Sequence, residues 1–311
     1  MRARRVFGLG CAVFLVFFAS TLGYAGGWSG FQHPGYPFAS GATSFYVGYF
    51  SDPSGLTVSF QKTAPDATLD LLSHTVNFQG VWFELLAPIK SCGPLGLTLG
   101  ANYHFPLSKT SQETINTGGV GANSTWNAAP QWGGFQIALT YQVNPALTAI
   151  LGFKYQSLLV NFYQSVALNP NMNTADLAIS ECIPYFGFAY KRVHRGSGLE
   201  LETALVGFPT LLGAVDFRET RAGGFNLGGV VVPGFRISQN FGSGRFMEWY
   251  TELSAPVREC CRLGSFVRYY VAQASATVDA SQYNGNIPTV LYDFNLDNRV
   301  WGVGGVISYS F

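Results

Sequence analysis

Eight charged side chains in this sequence are spaced so that, along extended strands, they all lie on the same face of a β-sheet. Glu200 and Glu202, like Glu248 and Glu252, are an even number of residues apart, so each pair shares one face of an extended strand. Facing carboxylates and bases can neutralise one another, select ions that pass between them or transfer protons. The set comprises Glu200, Glu202, Arg236, Glu248, Glu252, Arg268, Lys154 and Lys191. Their neighbours along the strands, such as Ile237 beside Arg236, are assigned to the opposite, apolar face.

The strands that position these charges alternate between apolar and polar residues. Phe135, Ile137 and Leu139 fall on one face of a predicted strand, and Gln136 and Thr140 fall on the other. An apolar face against lipid and a polar face towards a lumen are what a membrane-spanning β-strand requires. Because the pattern recurs along the chain, the sequence predicts an all-β protein, a transmembrane antiparallel up-and-down β-barrel.

The number of alternating segments predicts about 12 strands, within a range of 10 to 14. Eleven segments alternate clearly, whereas single-chain bacterial barrels usually have an even number of strands. We therefore expect one further strand, at residues 56–61 or at residues 211–220. Residues 241–244, with the sequence Phe-Gly-Ser-Gly, are predicted to be a turn between two strands.

The last strand carries a resemblance to a known class of protein. Ile307, Tyr309 and Phe311 occupy alternate positions, and the sequence ends on the aromatic residue. This ending resembles the C-terminal signature of bacterial outer-membrane β-barrel proteins. The resemblance implies location in the bacterial outer membrane, contact with the lipid bilayer and lipopolysaccharide, and insertion by the outer-membrane assembly machinery through this strand.

The N-terminus has the organisation of a secretory signal peptide. Three arginines precede an apolar run over residues 11–18, and a small-x-small site ends at Ala25. The alternative is a retained transmembrane helix over residues 6–22, which is nearly long enough to span a bilayer. The sequence thus predicts a cleaved signal peptide at 1–25, a Gly/Pro/aromatic lead-in at 26–42 and the barrel at 43–311.

Composition agrees with a membrane barrel and excludes nucleic acid as a partner. Only 11% of the residues are charged, 15% are aromatic and 37 are glycine. Without the three N-terminal arginines, 15 basic residues face 17 acidic ones, so the chain lacks the positive charge that nucleic-acid binding requires. No later apolar run approaches the length of a membrane helix, so strands are the remaining way to cross a bilayer.

Cysteine and histidine residues give weak signals for chemistry. The exported chain would retain Cys92, Cys182, Cys260 and Cys261, for which disulfides are possible with the pairing left open. Their spacing does not resemble a zinc site, so no metal and no cofactor are predicted. His104 faces the predicted lumen near the rim and could act as a base. The other histidines, His33, His74 and His194, lie at segment ends and are expected to be solvated surface residues.

The segment at residues 147–162 departs from simple alternation. Along residues 147–162 the apolar positions include Leu151 and Phe153, but then switch to Leu158 and Val160. Either a bulge near Gln156 shifts the pattern, or the strand rises above the bilayer.

Residues 107–130 form the longest polar segment between strong strands, and long connections in such barrels are extracellular. We therefore expect an extracellular loop at residues 107–130. Trp126 and Trp132 beside it are candidates for stacking on carbohydrate.

The function that this pattern favours is a narrow porin-like channel, or a structural barrel with a charged lumen, that passes small solutes slowly. One alternative is a transporter of hydrophobic compounds, with the 26–42 lead-in as a plug. The other is an outer-membrane hydrolase in which the inward glutamates supply catalytic carboxylates. No closely spaced Asp/His pair supports an enzyme, so catalysis is not expected.

Overall fold

The chain folds into one continuous β-sheet that closes on itself, in a computed structural model. The predicted signal peptide at 1–25, the lead-in at 26–42 and the C-terminal Phe311 lie outside the described residues. The structure describes residues 43–51, 56–62, 69–76, 79–92, 94–107, 110–117, 120–165, 172–194, 196–227, 230–258, 260–282 and 290–309.

The described residues form 15 strands, and every pairing between them is antiparallel. In this part of the chain no helix is long and apolar enough to cross a membrane. The strands are β1 (Thr43–Ser51), β2 (Leu56–Lys62), β3 (Leu69–Val76), β4 (Gln79–Cys92), β5 (Leu95–Pro106), β6 (Thr110–Thr117), β7 (Val120–Asn144), β8 (Leu147–Ser165), β9 (Met172–Val193), β10 (Glu200–Phe208), β11 (Leu212–Leu227), β12 (Val230–Phe241), β13 (Ser243–Arg258), β14 (Cys261–Gln282) and β15 (Val290–Tyr309).

Ten strands close the lower part of the sheet, which we call the lower ring. Their order around the ring is β1, β4, β5, β7, β8, β9, β10, β13, β14 and β15, and each strand pairs with the next. The ring closes where β15 pairs with β1, from Thr43 opposite Tyr309 to Ser51 opposite Trp301. Closure leaves no unpaired strand edge here, which a barrel in lipid requires.

A second ring of ten strands continues directly above the first, and we call it the upper ring. The five long strands β7, β8, β9, β14 and β15 run through both rings, whereas β2, β3, β6, β11 and β12 take over from β1, β4, β5, β10 and β13. The fold is therefore a ten-stranded up-and-down barrel in which five strands are interrupted between the rings. Ten is the lower limit of the predicted range.

The interruptions explain why alternation gave an odd number of strands. Both segments proposed for the missing strand, 56–61 and 211–220, lie largely or wholly in strands, β2 and β11. They continue β1 and β10 upward and add no new strand to the ring. The turn predicted at 241–244 was wrong, because β12 and β13 both pair with β14 and run in the same direction through this break.

The outer face of the lower ring is apolar. Large side chains that would be buried in a water-soluble protein are exposed around the whole ring, for example Leu151 at 61% and Phe188 at 55%. Exposed apolar residues in a closed band are stable only against lipid, so the lower ring spans the membrane. Others in the band are Phe45, Phe135, Leu139, Leu205, Leu253, Val303 and Ile307.

The upper ring has the opposite polarity. Its outer face carries exposed polar residues such as Asn161, Arg218 and Asn295, while Phe217 and Phe294 are buried inside it. Such a ring is stable in water, where apolar side chains pack inward. Strand β7, with 25 residues, is more than twice the length of about 9 to 11 residues needed to cross a bilayer.

This change of polarity resolves the phase switch in β8. The pairing of β8 with β9 runs without a register shift through Gln156, so no bulge is present there. Leu151 and Phe153 face lipid, whereas Leu158 and Val160 are buried inside the barrel. The alternative in which the strand rises above the bilayer is therefore correct.

The predicted loop at 107–130 was wrong for the same reason. Most of this segment forms β6 and the first part of β7, which pair with each other from Thr110 opposite Asn127 to Thr117 opposite Val120. A strand with water outside needs no apolar outer face, so its sequence reads as a polar loop. Trp126 and Trp132 are buried inside the barrel and do not stand at a loop surface.

The described ends of the barrel define its orientation. Thr43 and Tyr309, the first and last described residues, lie at the lower edge of the lower ring. The connection there between β7 and β8 is the two-residue turn Pro145 and Ala146, and short turns are periplasmic in this class of barrel. The upper ring therefore stands on the extracellular side.

Candidate functional site: the charged interior of the barrel

A network of ion pairs crosses the centre of the lower ring. Arg268 on β14 contacts Glu84 on β4 with Nη1–Oε2 at 2.8 Å, and Glu248 on β13 with Nη2–Oε1 at 2.6 Å. Lys154 on β8 contacts the other oxygen of Glu248 at 2.6 Å. Gln136 on β7 donates to Glu84 Oε1 at 2.6 Å. The chain of contacts joins strands from opposite sides of the ring, so side chains bridge the lumen.

Aromatic rings fill the space around this network. The Arg268 guanidinium lies 4.6 Å from the centre of the Trp82 ring, a distance at which a cation is attracted to the ring face. His104 stacks on Trp132 with ring centres 3.6 Å apart, and Trp82 lies on its other side at 6.0 Å. His104 is buried, so it is enclosed by aromatic rings and does not stand at the rim.

A second group of charges lies closer to the periplasmic end. Lys191 and Arg262 contact the two oxygens of Glu200 at 2.6 and 3.3 Å. Glu202 on β10 lies directly opposite Glu252 on β13, and both are buried. The hydroxyl of Tyr250 donates to Glu252.

Seven of the eight charged residues selected from the sequence lie inside the lower ring. Glu200, Glu202, Glu248, Glu252 and Lys154 are buried, while Arg268 and Lys191 are 11% and 12% exposed. The structure places them in two groups, one around Glu248 and one around Glu200. Glu84, Glu181 and Arg262 complete the charged interior and were not selected, although Glu84 alternates with apolar neighbours in the same way.

Arg236, the eighth residue, does not face the lumen. Its guanidinium is half exposed and forms a bidentate contact with Asp216, with Nε–Oδ1 at 2.9 Å and Nη2–Oδ2 at 2.7 Å. Ile237, which alternation assigned to lipid, is instead fully buried. Both positions are reversed because β12 belongs to the upper ring, where the polar face meets water.

The cysteines do not converge among the described side chains. Cys182, Cys260 and Cys261 are free thiols, and the side chain of Cys92 lies outside the described part of the chain. The possible disulfides are therefore not formed among these three cysteines, and the prediction for Cys92 is not tested.

The upper ring contains a buried charged cluster that the sequence did not reveal. His74 on β3, Glu113 on β6 and Glu219 on β11 are each at most 2% exposed. Arg221 contacts both carboxylates, Glu219 with Nε–Oε1 at 2.7 Å and Glu113 through Nη2. Glu113 lies in the segment predicted to be a polar loop, and His74 was placed at the end of a segment. His74 is a buried interior residue, so the prediction of a solvated surface histidine was wrong.

The charges in this upper-ring cluster favour the ionised form of Glu219. Burial raises the pKa of Glu219, but the hydrogen bond from His74 and the charges of His74 and Arg221 outweigh it and lower that pKa below its ordinary value. Glu219 therefore carries a negative charge at neutral pH although it is fully buried.

The fold is similar to those of known bacterial outer-membrane proteins. The outer-membrane protease OmpT of Escherichia coli matches 87% of this chain and 97% of its own, with a TM-score of 0.63 at 11% identity. The translocator domain of the autotransporter NalP from Neisseria meningitidis matches 98% and 97%, with a TM-score of 0.43 at 10% identity. The outer membrane protein OprG from Pseudomonas aeruginosa matches 90% of this chain and 99% of its own, with a TM-score of 0.34 at 11% identity. No protein-family model and no curated protein sequence matches this chain.

The likeness to OmpT at 11% identity establishes a shared fold and nothing about a shared activity. Together with the apolar outer face of the lower ring, that fold defines the chain as a β-barrel protein of the bacterial outer membrane. Its interior is distinguished by two groups of charges at membrane depth and one in the upper ring.

Proposed function

We propose that this protein is a structural outer-membrane barrel with a sealed, charged lumen. The observation that carries the proposal is the contact chain from Gln136 through Glu84, Arg268 and Glu248 to Lys154, which bridges the lower ring. A barrel of about eight strands has an interior just wide enough for side chains to fill, and because diameter grows with strand number, a ten-stranded barrel is only moderately wider. Paired charges in that interior satisfy one another and leave no wide path for water or solutes.

The upper ring supports the same proposal through a second, apolar seal. Phe60 packs against Phe217 and Phe294, with ring centres 5.0 and 5.7 Å apart. All three side chains are at most 1% exposed, as in the core of a water-soluble protein. A solute would have to pass both the apolar packing and the charged network below it.

The filled interior also weighs against the alternatives of hydrophobic transport and hydrolysis. A carboxylate that acts on a substrate must reach it within about 3 Å, which requires an accessible position. Glu202, Glu248 and Glu252 are at most 7% exposed. We therefore infer that the inward glutamates are structural and that the protein is not an enzyme.

Solute efflux from liposomes tests the sealed lumen. Wild-type protein should release a trapped small sugar no faster than protein-free liposomes. The double variant Trp82→Ala/Arg268→Ala removes the stacked pair at the centre and should raise efflux several-fold. Trp301→Ala is the matched control, because Trp301 lies on the lipid face at 44% exposure, and it should leave efflux unchanged. Rapid efflux through the wild-type barrel would contradict the proposal and favour the porin-like channel.

A further inference from the structure

Three possible metal ligands meet inside the upper ring. His74 Nε2, a carboxylate oxygen of Glu113 and a carboxylate oxygen of Glu219 all lie within 4.8 Å of one another. They come from β3, β6 and β11, and β11 stands across the ring from the other two strands. An imidazole and two carboxylates are a ligand set that suits zinc and related divalent ions.

The distances within this cluster are those of ligands around an ion. His74 Nε2 is 3.4 Å from Glu219 Oε2 and 3.6 Å from Glu113 Oε1, longer than ordinary hydrogen bonds of about 2.7 to 3.2 Å. Two ligands of a tetrahedral zinc ion, each about 2.1 Å from the metal, lie about 3.4 Å apart. We propose that His74, Glu113 and Glu219 bind a divalent metal ion of the zinc class in the extracellular ring.

The histidine supplies a second, independent observation. His74 is 2% exposed, yet among the described residues neither of its ring nitrogens has a hydrogen bond of ordinary length. A buried polar group without a close partner is costly. The two carboxylates face His74 Nε2 at 3.4 and 3.6 Å. An ion between Nε2 and the two carboxylate oxygens would replace the long contact of Nε2 with a close one, while Nδ1 has no partner among the described residues.

Surrounding residues hold the ligands in place. Glu113 Oε2 accepts hydrogen bonds from Ser124 Oγ at 2.7 Å and Trp126 Nε1 at 3.0 Å. The His74 ring packs against Phe162 with ring centres 4.7 Å apart. Hydrogen bonds and packing that fix ligand orientation are typical of metal sites, because they prepare the ligands before the ion arrives.

Arg221 leaves room for the ion in the charge balance. Its Nε contacts Glu219 Oε1, so Glu219 Oε2 remains directed at His74. Its Nη2 contacts Glu113 Oε1, and a carboxylate oxygen has a second lone pair with which it can bind an ion at the same time. One arginine offsets one of the two carboxylate charges, and a divalent ion would offset the other.

The proposed ion would brace the extracellular ring. His74 and Glu113 lie on adjacent strands, and Glu219 lies on the far wall, so an ion shared by all three ties the two walls together. A ligand that binds only the folded state raises the temperature of unfolding. Zinc should therefore raise the melting temperature of the barrel, and a chelator should reverse the increase.

Cobalt absorption spectroscopy tests the site in the full-length protein. Protein purified in detergent and dialysed against a chelator is titrated with Co²⁺ at pH 7.5, and Zn²⁺ is then added as a competitor. We expect one Co²⁺ per chain, visible absorption bands of four-coordinate intensity, and displacement by Zn²⁺. His74→Gln and Glu219→Gln should each weaken binding at least ten-fold.

Glu84→Gln is the matched control, because Glu84 is an equally buried glutamate in the lower ring and its loss should leave Co²⁺ binding unchanged. Circular dichroism checks that each variant retains its β-structure. Wild-type protein that binds no stoichiometric Co²⁺ at 100 µM would overturn the proposal, even if a variant failed to fold. Binding that survives both His74→Gln and Glu219→Gln in folded protein would equally overturn it.

Discussion

Removing Glu248 should destabilise the barrel more than removing Lys154, although the two side chains form one ion pair. Glu248 contacts Lys154 and Arg268, each at 2.6 Å, whereas Arg268 has a second carboxylate partner in Glu84. Glu248→Gln therefore leaves Lys154, 1% exposed, without the carboxylate it contacts. Lys154→Met leaves Glu248 still bound to Arg268.

The expected magnitudes follow from these contacts. Breaking a buried ion pair by removing one partner costs about 3 to 5 kcal/mol when the remaining charge is uncompensated, so Glu248→Gln should fall in that range. Lys154→Met should cost about 1 to 3 kcal/mol, because the remaining carboxylate keeps a charged partner. In the double variant Lys154→Met/Glu248→Gln no uncompensated lysine remains, so its cost should be lower than the sum of the single costs by at least about 1 kcal/mol.

Equilibrium unfolding in urea, with the barrel in lipid vesicles and tryptophan fluorescence as the signal, measures these differences in unfolding free energy. Additive effects within about 0.5 kcal/mol would show that the two side chains are not coupled. A Lys154→Met variant that is as unstable as Glu248→Gln would refute the expectation that Arg268 compensates the charge of Glu248 when Lys154 is removed. Either result would mean that the contacts at 2.6 Å do not govern stability here.

Two further predictions concern the two rings. Leu151→Arg puts a charge on the lipid face of β8 and should cost about 2 to 4 kcal/mol in unfolding free energy. Asn161→Arg lies on the same face of the same strand but in the upper ring, where water is outside, and should cost close to nothing. Equal costs for the two variants in urea unfolding would show that both residues face the same surroundings. The pKa of Glu219 is lowered on folding from its ordinary value of 4.5, so the ionised carboxylate stabilises the barrel at pH values above 4.5. This contribution to stability is lost as the pH falls below 4.5. The difference in unfolding free energy between wild type and Glu219→Gln should therefore shrink from pH 7 towards pH 3, and a difference that grows instead would show that the folded pKa is raised.

The sequence predicted the lower ring well, because lipid imposes a simple rule on it. Phe135 and Ile137 face outward and Gln136 faces inward, as alternation predicted. Membrane strands need an apolar outer face whatever their neighbours are, so local spacing suffices to assign each side chain. Glu248 and Arg268 were assigned to the interior by this rule.

The same rule failed above the membrane, where the apolar face turns inward. Arg236 and Ile237 were both assigned to the wrong side, since alternation gives two faces but does not say which of them meets water. The bilayer boundary is set by the barrel as a whole, through the lengths and tilts of all its strands. In the sequence, the switch of apolar phase in β8 between Phe153 and Leu158 indicated where the strand leaves the bilayer.

The cluster in the upper ring could not be found from spacing. His74 and Glu219 are 145 positions apart in the chain, and Arg221 and Glu113 are 108 apart. These residues meet only because the ring closes with β11 opposite β3 and β6. Long-range ring closure of this kind has no local signature in the sequence.

The sealed lumen is tested most directly by the electrical conductance of the purified wild-type barrel in a planar lipid bilayer. With side chains bridging the lower ring and apolar packing closing the upper ring, we predict insertion without steady conductance steps in 1 M KCl. Insertion must be verified independently, by protease protection of the reconstituted protein. Reproducible open steps from the wild-type protein, altered in ion selectivity by Glu248→Gln, would contradict the sealed barrel and show a channel.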